Sequence, residues 1–303
     1  MEIHQLEYLV AVAEEGGFTR AAERMQVAQP SLSHQIKKLE KELHQPLFDR
    51  LPRGAVLTEA GQRMLEHARR VLAELHDARR RVSEVGGHVT GALAVGAIPT
   101  IAPFLLPAVV RSFLGRWPEV RVSVTEDVTA RLLARVGQGE LDLAVVSSAG
   151  EVPNVHVERV GAEPLYLAVA AGHRLAGRRR VAWREVADEP FVLLHDEHCL
   201  AGQVQEYCVP HGLRPAVVAR GAQLHTVATM VSAGLGVSVL PEMFRVADAA
   251  ADRVYVRFAP PAPQRELCMA WSLLRYRTNA ARAFAEAVRA EAARQNGNAS
   301  VDK

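Results

Sequence analysis

The sequence predicts a multidomain chain: a helix-rich winged helix-turn-helix, a long linker helix, and then a larger α/β domain of two subdomains. Three observations predict it. Short segments near the start carry apolar residues at helical spacing, one uninterrupted helical stripe follows from Thr58 to about Val85, and strands alternate with helices from Thr90 onward. The chain's 303 residues exceed one small domain, and its 49% hydrophobic content is ample for packed cores.

The first helix is read from Leu6, Leu9, Val10 and Ala13, which share one face, and Gly16-Gly17 ends it. Thr19 is expected to cap a second helix whose buried side is Ala21, Ala22 and Met25. Gln29-Pro30-Ser31 opens a third, with Leu32, Ile36 and Leu39 facing inward. The join at Val27-Ala28 is short, small alanines stand at the crossing, and the outer face of the third helix is polar; together these make a helix-turn-helix. Residues 43–57 alternate turn formers with apolar pairs and fit a small hairpin, or wing. The long helix then places Leu65, Ala68, Leu72, Leu75, Ala78 and Val82 on one stripe up to Gly86-Gly87. A long helix with one apolar stripe wants a partner, so a dimer is expected there.

Strands are expected at 91–97, 120–126, 142–147, 164–170, 190–194, 216–220, 236–240, 253–258 and 266–273. Helices are expected at 101–115, 129–138, 199–209, 224–234 and 278–294. Alternation of this kind predicts mostly parallel strands. The divisions expected are 1–60 for the winged helix-turn-helix, 61–88 for the linker helix and 89–303 for the α/β domain. Within the last, one subdomain holds 89–163 and 268–303 and the other 164–267, with crossovers near 162–165 and 265–268. The final QNGNASVDK reads as a disordered tail.

Net charge is only +2, so bulk charge does not announce a polyanion partner. No basic and apolar leader follows Met1 and no apolar run is long enough to span a bilayer, so a cytoplasmic protein without membrane contact is expected. Three cysteines, Cys199, Cys208 and Cys268, are then packing residues, metal ligands or redox-active thiols rather than a disulfide framework. Cys268 stands in an apolar strand and reads as packing. His195, His198, Cys199, Cys208 and His211 gather potential metal ligands, but no CxxC pair is present, and no metal is expected. The run Arg178-Arg179-Arg180 reads as a solvated turn.

The segment LEYLVAVAEEGGFTRAAERMQVAQPSLSHQIKKLEKELHQPLFDR, with LTEAG after it, resembles the LysR-type transcriptional regulators. The resemblance runs over nearly the whole chain. It implies a winged helix-turn-helix on double-stranded DNA, a dimerising linker helix, a periplasmic-binding-protein-like effector domain, a homodimer or homotetramer, and action on RNA polymerase; it implies no enzyme and no cofactor. GAIPTIAPFLLP, HCLAGQVQEYC, VTARLL and PQREL further resemble the peroxide-sensing OxyR subfamily. Carried over by position, Cys199 is the peroxidatic and Cys208 the resolving thiol. Thr100, Thr129, His198 and Arg265 line the peroxide pocket. The subfamily's Arg-Asp after the first cysteine is replaced here by Ala201-Gly202. The other effector such a domain would take is a small metabolite in the cleft between subdomains, with the cysteines inert.

In a helix that enters the major groove, Ser33, His34 and Gln35 are the base-reading candidates. Gln29, Pro30 and Ser31 lead into that helix, and Lys37, Lys38, Arg50 and Arg53 are expected on phosphate. Residues 1–60 hold seven basic and nine acidic side chains, so charge there must be arranged rather than abundant. If the segment between the two cysteines is helical, nine rises of ~1.5 Å part their Cα atoms by roughly 13–14 Å. A disulfide needs them within ~7 Å, so joining requires the helix to unwind. Taken alone, Thr100 reads as a helix cap, His198 as an ordinary histidine and Arg265 as a solvated charge.

Overall fold

In the computed structural model, which describes residues 1–51, 54–84, 87–148, 150–208 and 215–298, the chain divides into two units, Met1–Val85 and Gly86–Lys303. Of residues 50, 83 and 296–298 only the backbone is described.

The first unit runs α1 (Ile3–Glu15), α2 (Phe18–Arg24), α3 (Gln29–Leu43), β1 (Phe48–Leu51), β2 (Gly54–Leu57) and α4 (Glu59–Ser83). Gly16 ends α1 in the left-handed region, φ 65°, which costs a glycine nothing. α2 starts one residue before the expected cap: Gly17 is its N-cap, and no side chain, Thr19 included, caps it. Pro30 sits in the first turn of α3, where its missing N–H leaves no bond unmade. β1 and β2 form the antiparallel wing, Phe48 opposite Leu57. Thr58 caps α4 by accepting from the Gly61 N–H at 3.0 Å and donates to the Pro46 carbonyl at 2.7 Å, fastening wing to helix. Leu6, Leu9, Val12, Ala21, Leu32, Ile36, Leu39 and Ala68 close one core.

The second unit runs β3 (Gly91–Ala97), α5 (Ala102–Arg116), β4 (Val120–Glu126), α6 (Thr129–Gln138), β5 (Leu143–Val146), β6 (Val155–Ala170), β7 (Arg180–Val181), a 3-10 turn (Trp183–Val186), β8 (Pro190–Leu194), α7 (Cys199–Cys208), β9 (Ala216–Gly221), α8 (Leu224–Ser232), β10 (Ser238–Pro241), α9 (Glu242–Ala247), β11 (Arg253–Phe258), β12 (Gln264–Ser272) and α10 (Asn279–Asn298). Strand order is β4-β3-β5-β12-β6-β11-β7, with β10 also on β6 and a separate β8–β9 pair. Among the described strands β3–β4, β3–β5, β8–β9 and β11–β7 pair in parallel; β12 runs antiparallel to β5 and β6, and β10 and β11 run antiparallel to β6. The expected mostly parallel sheet is therefore mixed. The reason is the 16-residue β6, about 50 Å of strand. Its first part pairs with β12 and its second with β10 and β11, so the chain crosses and returns through neighbouring antiparallel strands.

Two cores flank this crossing. One gathers Leu93, Val95, Leu105, Leu132, Leu143, Met269 and Phe284; the other gathers Leu167, Phe191, Val204, Val227, Val239 and Phe258. Phe104 packs against both. Cys268 is buried in the first core, as its apolar strand suggests. α10 continues to Asn298, into the stretch read as a disordered tail, and residues 299–303 lie outside the described residues. Arg178 and Arg179 are exposed and Arg180 begins β7. Among the described residues no helix is long and apolar enough to cross a membrane.

Candidate functional site

The outer face of α3 is built as the sequence suggests. Gln29, Pro30, Ser31, His34, Lys37 and Lys38 are exposed, Ser33 and Gln35 half-buried, and Leu32, Ile36 and Leu39 fully buried. No side chain caps the start of α3, so its first backbone N–H groups remain available to an anion. Arg50 lies on β1 opposite Ala55, with its side chain outside the described residues, as is the whole of Arg53.

The second site lies where strands end. Thr100 follows β3, Thr129 begins α6 just after β4, and Ser147 and Ser148 follow β5, so three parallel strands deliver hydroxyls at their carboxyl ends, the edge where α/β sheets take ligands. α7 supplies the facing groups. Its first residue, Cys199, is partly exposed and packs against the first core, while Leu200, Ala201, Val204 and Cys208 are buried in the second. Gln203, one turn on, donates from Nε2 to Ser147 Oγ at 3.1 Å and Ser148 Oγ at 2.9 Å. Gln203 Oε1 and Thr129 Oγ1 are buried and, among the described residues, without a hydrogen bond. A buried polar atom left unpaired costs about 1–3 kcal/mol.

Arg265 is not a solvated charge; it is fully buried. It stands directly opposite Glu163 in the β12–β6 ladder. Its Nε donates to Glu163 Oε1 at 2.6 Å, Nη1 to Thr100 Oγ1 at 2.8 Å and Nη2 to the Thr100 carbonyl at 2.9 Å. Glu163 Oε2 accepts from the Met243 N–H at 2.7 Å, which ties α9 to the same carboxylate. Thr100 is thus an arginine partner and not a cap; Ile101 is the N-cap of α5, without a side-chain bond. His198 is buried at 8% exposure, and burial holds its pKa below the ordinary histidine value against the opposing pull of Glu197, which favours the neutral ring.

Cys199 and Cys208 differ in exposure: the first is partly exposed and the second buried. All three cysteines are unbridged. α7 is helical from Cys199 to Cys208, so the pair sits at its opposite ends. Burial pushes the Cys208 thiol up to about 11, so it stays protonated in place. Among the described residues no three His, Cys, Asp or Glu side chains gather as a metal site, and His211 lies outside them. Sequence reasoning missed Gln203, Ser147, Ser148 and Glu163; the one available signal was that Gln203 follows Cys199 by four residues, one helical turn.

Residues 3–62 match the LysR-family bacterial regulatory helix-turn-helix, and residues 86–293 match the LysR substrate binding domain. A hydrogen peroxide-inducible genes activator of Pectobacterium carotovorum subsp. carotovorum is 36% identical over 272 residues, covering 89% of this chain and 90% of its own. Among solved structures, a full-length OxyR mutant from Pseudomonas aeruginosa has a TM-score of 0.81 at 30% identity, covering 95% of each chain. An H2O2-bound OxyR mutant from Corynebacterium glutamicum has a TM-score of 0.67 at 26% identity, covering 99% of this chain and 95% of that one. The winged helix-turn-helix, the two-core effector unit and these likenesses agree: the chain belongs to the LysR family of DNA-binding transcriptional regulators, as an OxyR-like member.

Proposed function

We propose that this regulator senses hydrogen peroxide through a thiol–disulfide couple of Cys199 and Cys208. The observation that carries the proposal is α7 itself. It holds one thiol partly exposed at its first residue, four positions before Gln203, and buries the other at its far end. Cys199 as thiolate attacks one peroxide oxygen; the O–O bond breaks, and the second oxygen leaves as hydroxide and takes a proton to become water. The sulfenic acid is then displaced by Cys208, the S–S bond forms, and a second water leaves. Thr100, Thr129, His198 and Arg265, with Gln203, are proposed to hold the peroxide. The resemblance to an H2O2-bound protein supports that pocket.

The effector unit is read as two subdomains, 89–163 with 268–303, and 164–267, which the two cores and the Glu163–Arg265 crossing support. Gln29, Pro30, Ser31, Ser33, His34, Gln35, Lys37, Lys38, Arg50 and Arg53 are proposed to contact double-stranded DNA. Dimers are proposed to form through α4, where Val71 and Val82 remain 49% and 75% exposed, and to assemble as tetramers that act on RNA polymerase.

The test is stoichiometric peroxide on the reduced protein, followed by mass-spectrometric mapping of disulfides. The proposal expects a Cys199–Cys208 bridge. Oxidation that leaves the two thiols unjoined removes the switch and leaves the family assignment standing.

A further inference from the structure

Gln5 is a fully buried amide in the first turn of α1, and its two ends are both committed. The Glu2 backbone N–H, which can only donate, donates to Gln5 Oε1 at 2.9 Å. That bond fixes which way the amide faces, so Gln5 Nε2 points toward α3. There it donates to Gln35 Oε1 at 3.1 Å. Gln35 is half-buried on α3, and among the described residues nothing bonds its Nε2.

We infer that Gln5 sets the base preference of Gln35 by engaging its oxygen, so that Gln35 offers DNA its N–H donors alone. This rests on the reading of Gln35 as a base-contacting residue. An unconstrained glutamine presents one acceptor and two donors, and it pairs with adenine by using both kinds at once, oxygen to N6 and nitrogen to N7. With its oxygen turned to α1, Gln35 suits base edges that carry acceptors in the major groove, O6 and N7 of guanine or O4 of thymine. It is mismatched to the cytosine N4 donor and loses the two-point contact with adenine. Gln5 touches no DNA in this account; it is a positioning residue, acting through Gln35.

The relay reverses with one isosteric change. In Gln5→Glu, one carboxylate oxygen still accepts from the Glu2 N–H, while the other can only accept, so it accepts a hydrogen bond from Gln35 Nε2. The Gln35 amide then turns, and its oxygen faces out. Gln5→Leu removes the relay altogether. The full-length reduced protein and three variants, Gln35→Ala, Gln5→Glu and Gln5→Leu, are each used to select from a pool of randomised duplexes at pH 9, which favours the ionised carboxylate against the upward shift that burial imposes. Gln35→Ala locates the base position: the preference for guanine or thymine there is expected to weaken by about five- to a hundredfold. At that same position Gln5→Glu is expected to favour cytosine or adenine, and Gln5→Leu to admit adenine alongside guanine. If Gln35→Ala erases a preference and both Gln5 variants keep the native one, the relay is wrong while the reading of Gln35 stands. If Gln35→Ala changes affinity equally for all sequences, Gln35 contacts no base and the inference falls with that reading.

Discussion

Arg265 is the largest fully buried side chain among the described residues, and its charge is held by one carboxylate and one threonine. Removing one partner of a buried ion pair strands the other, at about 3–5 kcal/mol. Glu163→Gln is therefore expected to lower the urea midpoint of the reduced protein sharply. Arg265→Met combined with Glu163→Gln, which leaves no unpaired charge, should recover much of that loss; equal midpoints for the single and double variants would deny the pair its structural role. The thiols make two further predictions. Alkylation of the native reduced protein at neutral pH should mark Cys199 first and spare Cys208 and Cys268, at 1% and 3% exposure, until urea opens the cores. Native Cys208 ionises only near pH 11, whereas an unfolded cysteine does so at about 8.5. Above that lower value the unfolded chain sheds a proton that the native one keeps, so stability falls as pH rises through this window. Urea midpoints between pH 8 and 10.5 should fall less steeply for Cys208→Ala than for the native chain, both under reductant.

α7 is the element that the proposed switch must unwind, and its sequence weakens it. Gly202, in the helix interior, has open space where a Cβ would stand. Glycine costs a helix interior about 0.5–1 kcal/mol against alanine. Gly202→Ala should stabilise the reduced helix by that amount and slow disulfide formation after peroxide, since the same helix must unwind. Stopped-flow following of the bridge checks it, and an unchanged rate would mean that unwinding does not limit closure. Elements of this kind were legible wherever one period dominates: β4, α6 and β11 fall where apolar spacing places them. The first half of β6 was not, because Glu158, Arg159 and Glu163 interrupt its alternation: Glu158 pairs with Arg289 on α10, Arg159 with Glu266 on β12, and Glu163 with Arg265 on β12 and the Met243 N–H on α9. α9, six residues long, is too short for a helical period to register.

Across the whole molecule, direction and convergence lay beyond a local reading. Nothing in the spacing around 155–170 says that one strand serves both cores, so strand direction was misjudged as mostly parallel. Arg265 reads as solvated until Glu163, 102 residues away in sequence, comes opposite it. Gln203, between the two cysteines proposed as a couple, finds its hydrogen-bond partners only once Ser147 and Ser148 arrive from the far side of the fold. If the proposed thiol couple governs DNA reading, closing Cys199 onto Cys208 changes what α3 does on DNA. Footprinting the reduced and the peroxide-treated protein on one selected duplex, with Cys199→Ser alongside, tests it most directly. Peroxide is expected to alter the footprint of the native protein and to leave that of Cys199→Ser at its reduced pattern. A native footprint indifferent to peroxide, or the same peroxide-induced change in Cys199→Ser, would contradict it.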